Sequence, residues 1–349
     1  MNDYLPVLTA ILLVPVVVYC VVTCVSWFLY LPYAVQIFRT PLQLSLPTHH
    51  PLEGGTDVWF RTADGRKLRG TYLATSAWKR RGLIVYAHGY CGSRWNATPY
   101  VVNLLDRGFD VFTFDFRGHG DSPADAHYRP LHWVTQHEVI DLKAAVDCAV
   151  RISGSQPSRV GVMGTSRGAA AALCLAAEDQ RIGAIVADGA FSTDAIQCHF
   201  MRRYMSIYSR LAFVWASLPN IGLFSYRVGP RLLAGMTHRC RYLNVERKLR
   251  RVRQPVFMIH GERDSFVPVP VVKKLRSLIA GRTKLWLVPR AKHNAAIFEA
   301  RAEYELRIEK FFGRHLSLDQ RQDVAEMPLH AAERRYASRP VSVPVLEPN

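Results

Sequence analysis

The chain has 349 residues, enough for one large domain or two small ones, and its 49% hydrophobic content argues against a disordered protein. Lys and Arg (45) far outnumber Asp and Glu (28), for a formal charge of +17. Its 7 cysteines are scattered without a CxxC pair, which excludes a zinc ribbon or thioredoxin-type motif, speaks against a disulfide framework and favours a reducing compartment.

The first element is apolar. No charged residue occurs from Leu5 to Leu31, and none lies between Asp3 and Arg39. A bilayer core takes about 20 apolar residues as a helix, so residues 5–31 predict one transmembrane anchor that spans with some tilt. Pro6 and Pro15 are compatible with a lipid-embedded helix, and Trp27, Tyr30 and Tyr33 stand where aromatic rings settle at the headgroups. A cleaved signal peptide would want a basic start, a shorter apolar run and a small-residue cleavage site, none of which is present. Asp3 precedes the span, whereas Arg39, Arg61, Arg66 and Lys67 follow it; the positive-inside rule therefore points to a single-pass protein with its main domain in the cytoplasm. Asn96-Ala97-Thr98 fits a glycosylation acceptor, but such triplets arise often by chance.

Residues 32–55 read as a connector. Asp57–Thr62 and Lys67–Ala74 alternate as strands, joined through the hairpin signal Asp64-Gly65. Strand-like runs then alternate with helical stretches. Strands are predicted at Leu83–Ala87, Phe109–Phe114, Arg159–Met163, Ile182–Ala187, Val256–His260 and Leu285–Val288. Helices are predicted at Thr98–Arg107, His137–Ile152, Ser166–Glu178, Val269–Ile279 and from about Asn294 to Phe312. Such alternation predicts an α/β domain over residues 56–313, with a mostly parallel sheet and helices on both faces.

Residues 192–254 interrupt the alternation. They carry no clear strand, are rich in aromatics and short helical patches, and read as an inserted cap over the C-terminal edge of the sheet. Their Lys and Arg residues face only Asp194 and Glu246 as acidic partners, so much of the net charge sits here. Residues 314–349 lack an apolar period and read as a disordered tail.

Gly164-Thr165-Ser166-Arg167-Gly168 matches G-x-S-x-G between a strand and an Ala-rich helix. A sharp strand-to-helix turn leaves no room for flanking side chains and lifts the serine hydroxyl into the cleft. A nucleophilic serine needs a base, and the base an orienting acid. Asp264 follows the strand Val256–His260, and His293 follows the last strand. Both fall where loops leave the sheet on the side of Ser166, in the order Ser, Asp, His. Asp188 and Glu262 remain rivals for the acid. The backbone N–H groups of Arg167 and Tyr90 are the candidate oxyanion donors, the latter in the loop His88-Gly89-Tyr90-Cys91-Gly92-Ser93. His88 reads as a structural hydrogen-bonder, and Cys91 as a lining residue.

His88-Gly89, Asp115–Ser122, the Gly164–Gly168 turn, Asp188-Gly189-Ala190-Phe191 and Asp264 with Val267-Pro268 resemble the α/β-hydrolase superfamily over about residues 57–313. The nearest likeness is to the serine aminopeptidase-like and monoacylglycerol-lipase-like group, including its membrane-anchored members. The resemblance implies the α/β-hydrolase fold, a Ser166–His293–Asp264 triad working through an acyl-enzyme, and no metal or organic cofactor. A membrane-anchored serine esterase acting on a small-molecule or lipid acyl substrate is the expected function. The anchor and the basic cap would then meet the membrane. A serine peptidase or amidase is the alternative within the fold, and it would want an acidic group in the cleft. A catalytically inactive binding module is the alternative outside enzymes. Nucleic-acid binding is not expected, because the positive charge is concentrated in the cap rather than in a recognition motif. Nothing in the sequence indicates an oligomeric state.

Overall fold

The structure, a computed structural model, describes residues 5–39, 50–154, 159–199, 224–316 and 345–346. Strands β1 (Thr56–Arg61) and β2 (Lys67–Leu73) form the expected hairpin, with Arg61 opposite Lys67 and Gly65 at φ +79° in the turn. Only glycine takes that backbone without strain. β2 pairs antiparallel with β4 (Phe109–Phe114). From there β3 (Gly82–Ala87), β4, β5 (Val160–Thr165), β6 (Ile182–Asp188), β7 (Val256–Gly261) and β8 (Thr283–Val288) run parallel. The order across the sheet is β8-β7-β6-β5-β3-β4-β2-β1-β9, where β9 is Val345–Leu346 beside Trp59 and Phe60. β3 through β7 are buried along their whole length, which is why they read as unbroken apolar runs rather than as alternation.

Helices cover both faces. On one lie α3 (Gln136–Ile152), α4 (Arg167–Ala176), α6 (Val245–Leu249) and α7 (Val269–Leu278), sharing a single apolar cluster with the sheet. On the other lie α2 (Thr98–Asp106), α8 (Ala296–Glu299) and α9 (Arg301–His315). α3 begins on a capping box: the Thr135 hydroxyl accepts from the His137 N–H, and the Glu138 carboxylate accepts from the Thr135 N–H at 2.8 Å. Every residue of α4 is buried, and its alanines let the helix lie close on β5 and β6.

The last helix departs from expectation. It is broken at Ala300 (φ −141°, ψ 50°), and Asn294 lies outside it at φ +55°. α9 also continues to His315, past the expected domain end at 313.

At the other end of the chain, α1 (Leu5–Arg39) carries the helix eight residues beyond Leu31, into the expected connector; residues 40–49 of that connector lie outside the described residues. Among the described residues no helix is long and apolar enough to cross a membrane. Of the expected cap, residues 200–223 lie outside the described residues; the remainder supplies a helix at 193–199, α5 (Phe224–Thr237) and α6. α5 packs along α1. The expected tail also lies outside the described residues, apart from its first residues at the end of α9 and from β9.

Candidate active site

The sheet reverses its order of addition between β3 and β5, because β4 extends it on one side and β6 to β8 on the other. At such a switch point the loops diverge and open a crevice beyond the carboxyl ends of the strands. Ser166 follows β5 and His88-Gly89 follows β3, so both stand at that crevice.

Ser166 has φ +51° and ψ −115°, a strained backbone for a residue with a side chain. Its neighbours explain how the strain is held. A Cβ on Gly164 would stand 2.6 Å from Ala169 N, and one on Gly168 would stand 2.6 Å from both Ala87 C and His88 O. Backbone meets backbone at each site, so only glycine fits. The Ser166 N–H donates to Asp188 O at 2.7 Å and ties the turn to the end of β6.

The structure brings the three expected residues together. The Ser166 hydroxyl donates to His293 Nε2 at 2.9 Å, and His293 Nδ1 donates to Asp264 Oδ2 at 2.6 Å. Those partners correspond to the Nδ1–H tautomer of the ring. Asp264 is buried, and its second oxygen accepts from the N–H groups of Phe266 and Val267 at 2.9 and 2.7 Å. Both carboxylate oxygens are thereby directed. Gly189, at φ +64°, clears the space beside His293: a Cβ there would lie 3.1 Å from His293 Cε1. Of the rivals for the acid, Glu262 is exposed, while Asp188 Oδ2 accepts from the Tyr304 hydroxyl at 2.9 Å.

Tyr90 and Arg167 are both buried on the Ser166 side of the crevice. Arg167 opens α4, where the first amides of a helix have no intrahelical acceptor and can face a ligand. Gly89 brings the β3 loop against the nucleophile; a Cβ on it would lie 3.5 Å from Ser166 Cβ. His88 accepts from the Phe116 N–H at 3.1 Å through Nε2 and donates through Nδ1 to Gly89 O at 2.6 Å. Burial and the nearby Arg167 cation push its pKa down to about 3, so it holds the loop as a neutral ring. Cys91, by contrast, is exposed and has φ +59°.

Two features escaped the sequence. One is the surroundings of the Arg167 guanidinium, which is wholly buried. It donates to Leu131 O at 2.7 Å and to His119 Nε2 at 3.0 Å, lies 3.6 Å from Glu138, and stacks toward Tyr90 and Phe116. No motif marks a buried cation there, because its partners come from distant stretches of chain. The other is a layer of tyrosines behind the site. Tyr86 stacks on Tyr100 at 5.6 Å, Tyr100 approaches Tyr304 at 5.9 Å, and Tyr304 bonds Asp188. Burial raises the Asp188 pKa to about 7, against the lowering by the Tyr304 hydroxyl and His293. A carboxyl whose folded pKa is raised keeps a proton that the unfolded chain releases near pH 4, so its contribution to stability falls from there up to about pH 7. Asp188→Asn removes that loss. The difference in Tm between variant and wild type is expected to rise in the variant's favour from pH 5 to pH 7, and a constant difference would show that Asp188 is already ionised throughout.

Among the described residues no cluster of three or more His, Cys, Asp or Glu side chains is placed to hold a metal.

Comparison with known proteins bears on the fold and the family. Residues 84–306 match the family described as the alpha/beta hydrolase family. An uncharacterized protein of Mycobacterium tuberculosis strain H37Rv is 27% identical over 243 residues, covering 70% of this chain and 74% of its own. The uncharacterized protein YfhR of Escherichia coli K12 is 26% identical over 253 residues, covering 68% and 75%. Among solved structures, the Pyrococcus furiosus esterase Pf2001 superimposes with a TM-score of 0.59 at 26% identity, over 80% of this chain and 100% of that one. The dienelactone hydrolase of Anabaena variabilis, at 20% identity and a TM-score of 0.52 over 75% and 98%, shares the fold.

Proposed function

The chain belongs to the alpha/beta hydrolase family, and on that premise we propose that it is a membrane-anchored serine esterase of the lipase-like kind. The observation that carries the reading is the hydrogen-bonded chain from the Ser166 hydroxyl through His293 to Asp264. In the proposed reaction Ser166 Oγ attacks the acyl carbon and its proton passes to His293 Nε2. The Tyr90 and Arg167 amides stabilise the resulting oxyanion. His293 then protonates the departing alkoxide, and an acyl group remains on Ser166. Water, deprotonated by His293, attacks that ester, releases the acid and returns the proton to Ser166. Asp264 holds the ring in its Nδ1–H form and stabilises the imidazolium in both halves. The likeness to Pf2001, which is described as an esterase, supports an ester over an amide.

The membrane part rests on the N-terminal segment. Described α1 side chains such as Ile11, Leu12, Val16 and Val21 are all more than half exposed, an apolar surface that lipid would cover. α5 lies along α1 and exposes Leu232, Leu233 and Met236, so this end of the cap would rest at the same bilayer. The charge following the span supports a catalytic domain on the cytoplasmic side.

One experiment tests both parts. Cells expressing the full chain are treated with a fluorophosphonate probe, and their membranes are washed at alkaline pH. The expected result is a labelled band in the membrane pellet, absent from Ser166→Ala and His293→Ala and released to the supernatant by removal of residues 1–39. A folded wild-type protein that neither labels nor hydrolyses p-nitrophenyl esters would overturn the enzyme reading. A labelled protein extracted by the wash with residues 1–39 in place would overturn the anchor.

A further inference from the structure

A cleft of about 360 Å3 opens beside the oxyanion loop, lined by Tyr90 and Cys91 from the β3 loop, Gly118, His119 and Gly120 from the β4 loop, and Arg129. Gly89, one residue before the cleft begins, faces the nucleophile (a Cβ there would lie 3.5 Å from Ser166 Cβ), so the loop that carries Tyr90 and Cys91 runs from Ser166 into the cleft wall.

Its charge is one-sided. Among the described residues no Asp or Glu lines it. The carboxylates of the neighbouring loops are engaged: Asp115 and Asp121 by Arg94, Asp125 by Arg66, and Glu138 opposite Arg167. Arg129 is exposed and, among the described residues, has no ion-pair partner. Behind the cleft wall sits the buried Arg167 guanidinium, stacked toward the Tyr90 ring at 5.4 Å. His119 adds shape rather than charge, since its Nε2 accepts from Arg167 and its Nδ1 donates to Arg117 O. Among the described residues the cleft thus offers one free guanidinium fork, that of Arg129, and no lining group that would repel an anion, while the Arg167 charge behind the wall is balanced by Glu138.

Resting on the esterase reading above, we infer that this cleft receives an anionic group of the substrate, a carboxylate or a phosphate, and that Arg129 is the residue that selects for it. The preferred substrates are then acyl esters carrying a negative charge within a short span of the scissile carbonyl.

The test uses the full-length protein in detergent and two substrate pairs that differ in charge at matched shape. The first pair is the p-nitrophenyl monoester of adipic acid and its neutral methyl diester. The second is a short-chain 1-acylglycerol 3-phosphate and the matching monoacylglycerol, and it distinguishes a phosphate-bearing lipid from a carboxylate-bearing ester. In at least one pair the wild type is expected to favour the charged member by about tenfold in kcat/KM, the order of one hydrogen bond to a charged group, with the preference shrinking as salt rises. Arg129→Ala is expected to bring that ratio close to one, Arg129→Lys to retain part of it, and Arg129→Glu to invert it. Arg129 is exposed, so these variants are expected to fold, which unchanged melting curves would check. Equal turnover of charged and neutral esters by the wild type, or a preference that survives Arg129→Ala, would overturn the inference and leave the esterase standing. Failure to turn over any of the four substrates would count against the esterase itself.

Discussion

Replacing His293 by alanine is expected to lower kcat by about 10^4- to 10^6-fold, as does loss of the base from a Ser-His-acid site elsewhere. Asp264→Asn is the sharper test. Asp264 accepts the Nδ1 proton of His293, whereas an asparagine amide can donate to that nitrogen and favour the opposite tautomer. The Nε2 atom would then carry a proton and could not take the one from Ser166, at an expected loss of about 10^4-fold. Asp188→Asn should be far milder, because the Asp188 carboxyl is turned toward Tyr304. Steady-state rates with a short p-nitrophenyl ester, normalised by active-site titration, separate the two acids. An Asp264→Asn enzyme within tenfold of wild type would remove Asp264 from the proposed mechanism.

The second large effect is on stability. Gly168→Ala places a methyl group against Ala87 C, at the end of β3 in the middle of the sheet, and against His88 O, the first residue beyond it. Neither can move without disturbing the pairing of β3 with β5. Overpacking of this kind costs about 1–3 kcal/mol, a fall in Tm of roughly 3–10 °C for a domain of this size. Gly89→Ala is the comparison, since its added carbon meets nothing closer than 3.5 Å. Scanning calorimetry of both variants should rank Gly168→Ala clearly lower. Equal melting would mean that the α4–β3 contact is looser than the structure depicts.

Much of the parallel sheet could be read from the sequence because each strand is short, apolar throughout and bounded by turn residues. Phe109–Phe114 matches the observed strand to the residue, and the others differ by one or two positions. The break at Ala300 was invisible, because alanine favours helix and no glycine or proline marks the interruption. α5 was obscured by Gly229, Pro230 and Gly235, residues that argue against a continuous helix; here packing outweighs propensity. The positions of Ser166, Asp264 and His293 were legible because each lies in the turn or loop that follows a strand, on the same side of the sheet. Arg129 was not. Its significance comes from two glycine-containing loops meeting in space, and nothing local marks it.

The guanidinium sealed behind the nucleophile has a wider consequence. Arginine keeps its proton at any physiological pH, and burial with the Arg167 charge holds His88, His119 and His132 as neutral rings well below the range where an ordinary histidine titrates. The electrostatic potential on the oxyanion-loop side of the crevice is therefore buffered against the medium. Acidification of a compartment would thus not by itself switch this wall of the site on or off, in contrast to the Asp188 side, whose carboxyl takes up its proton near pH 7.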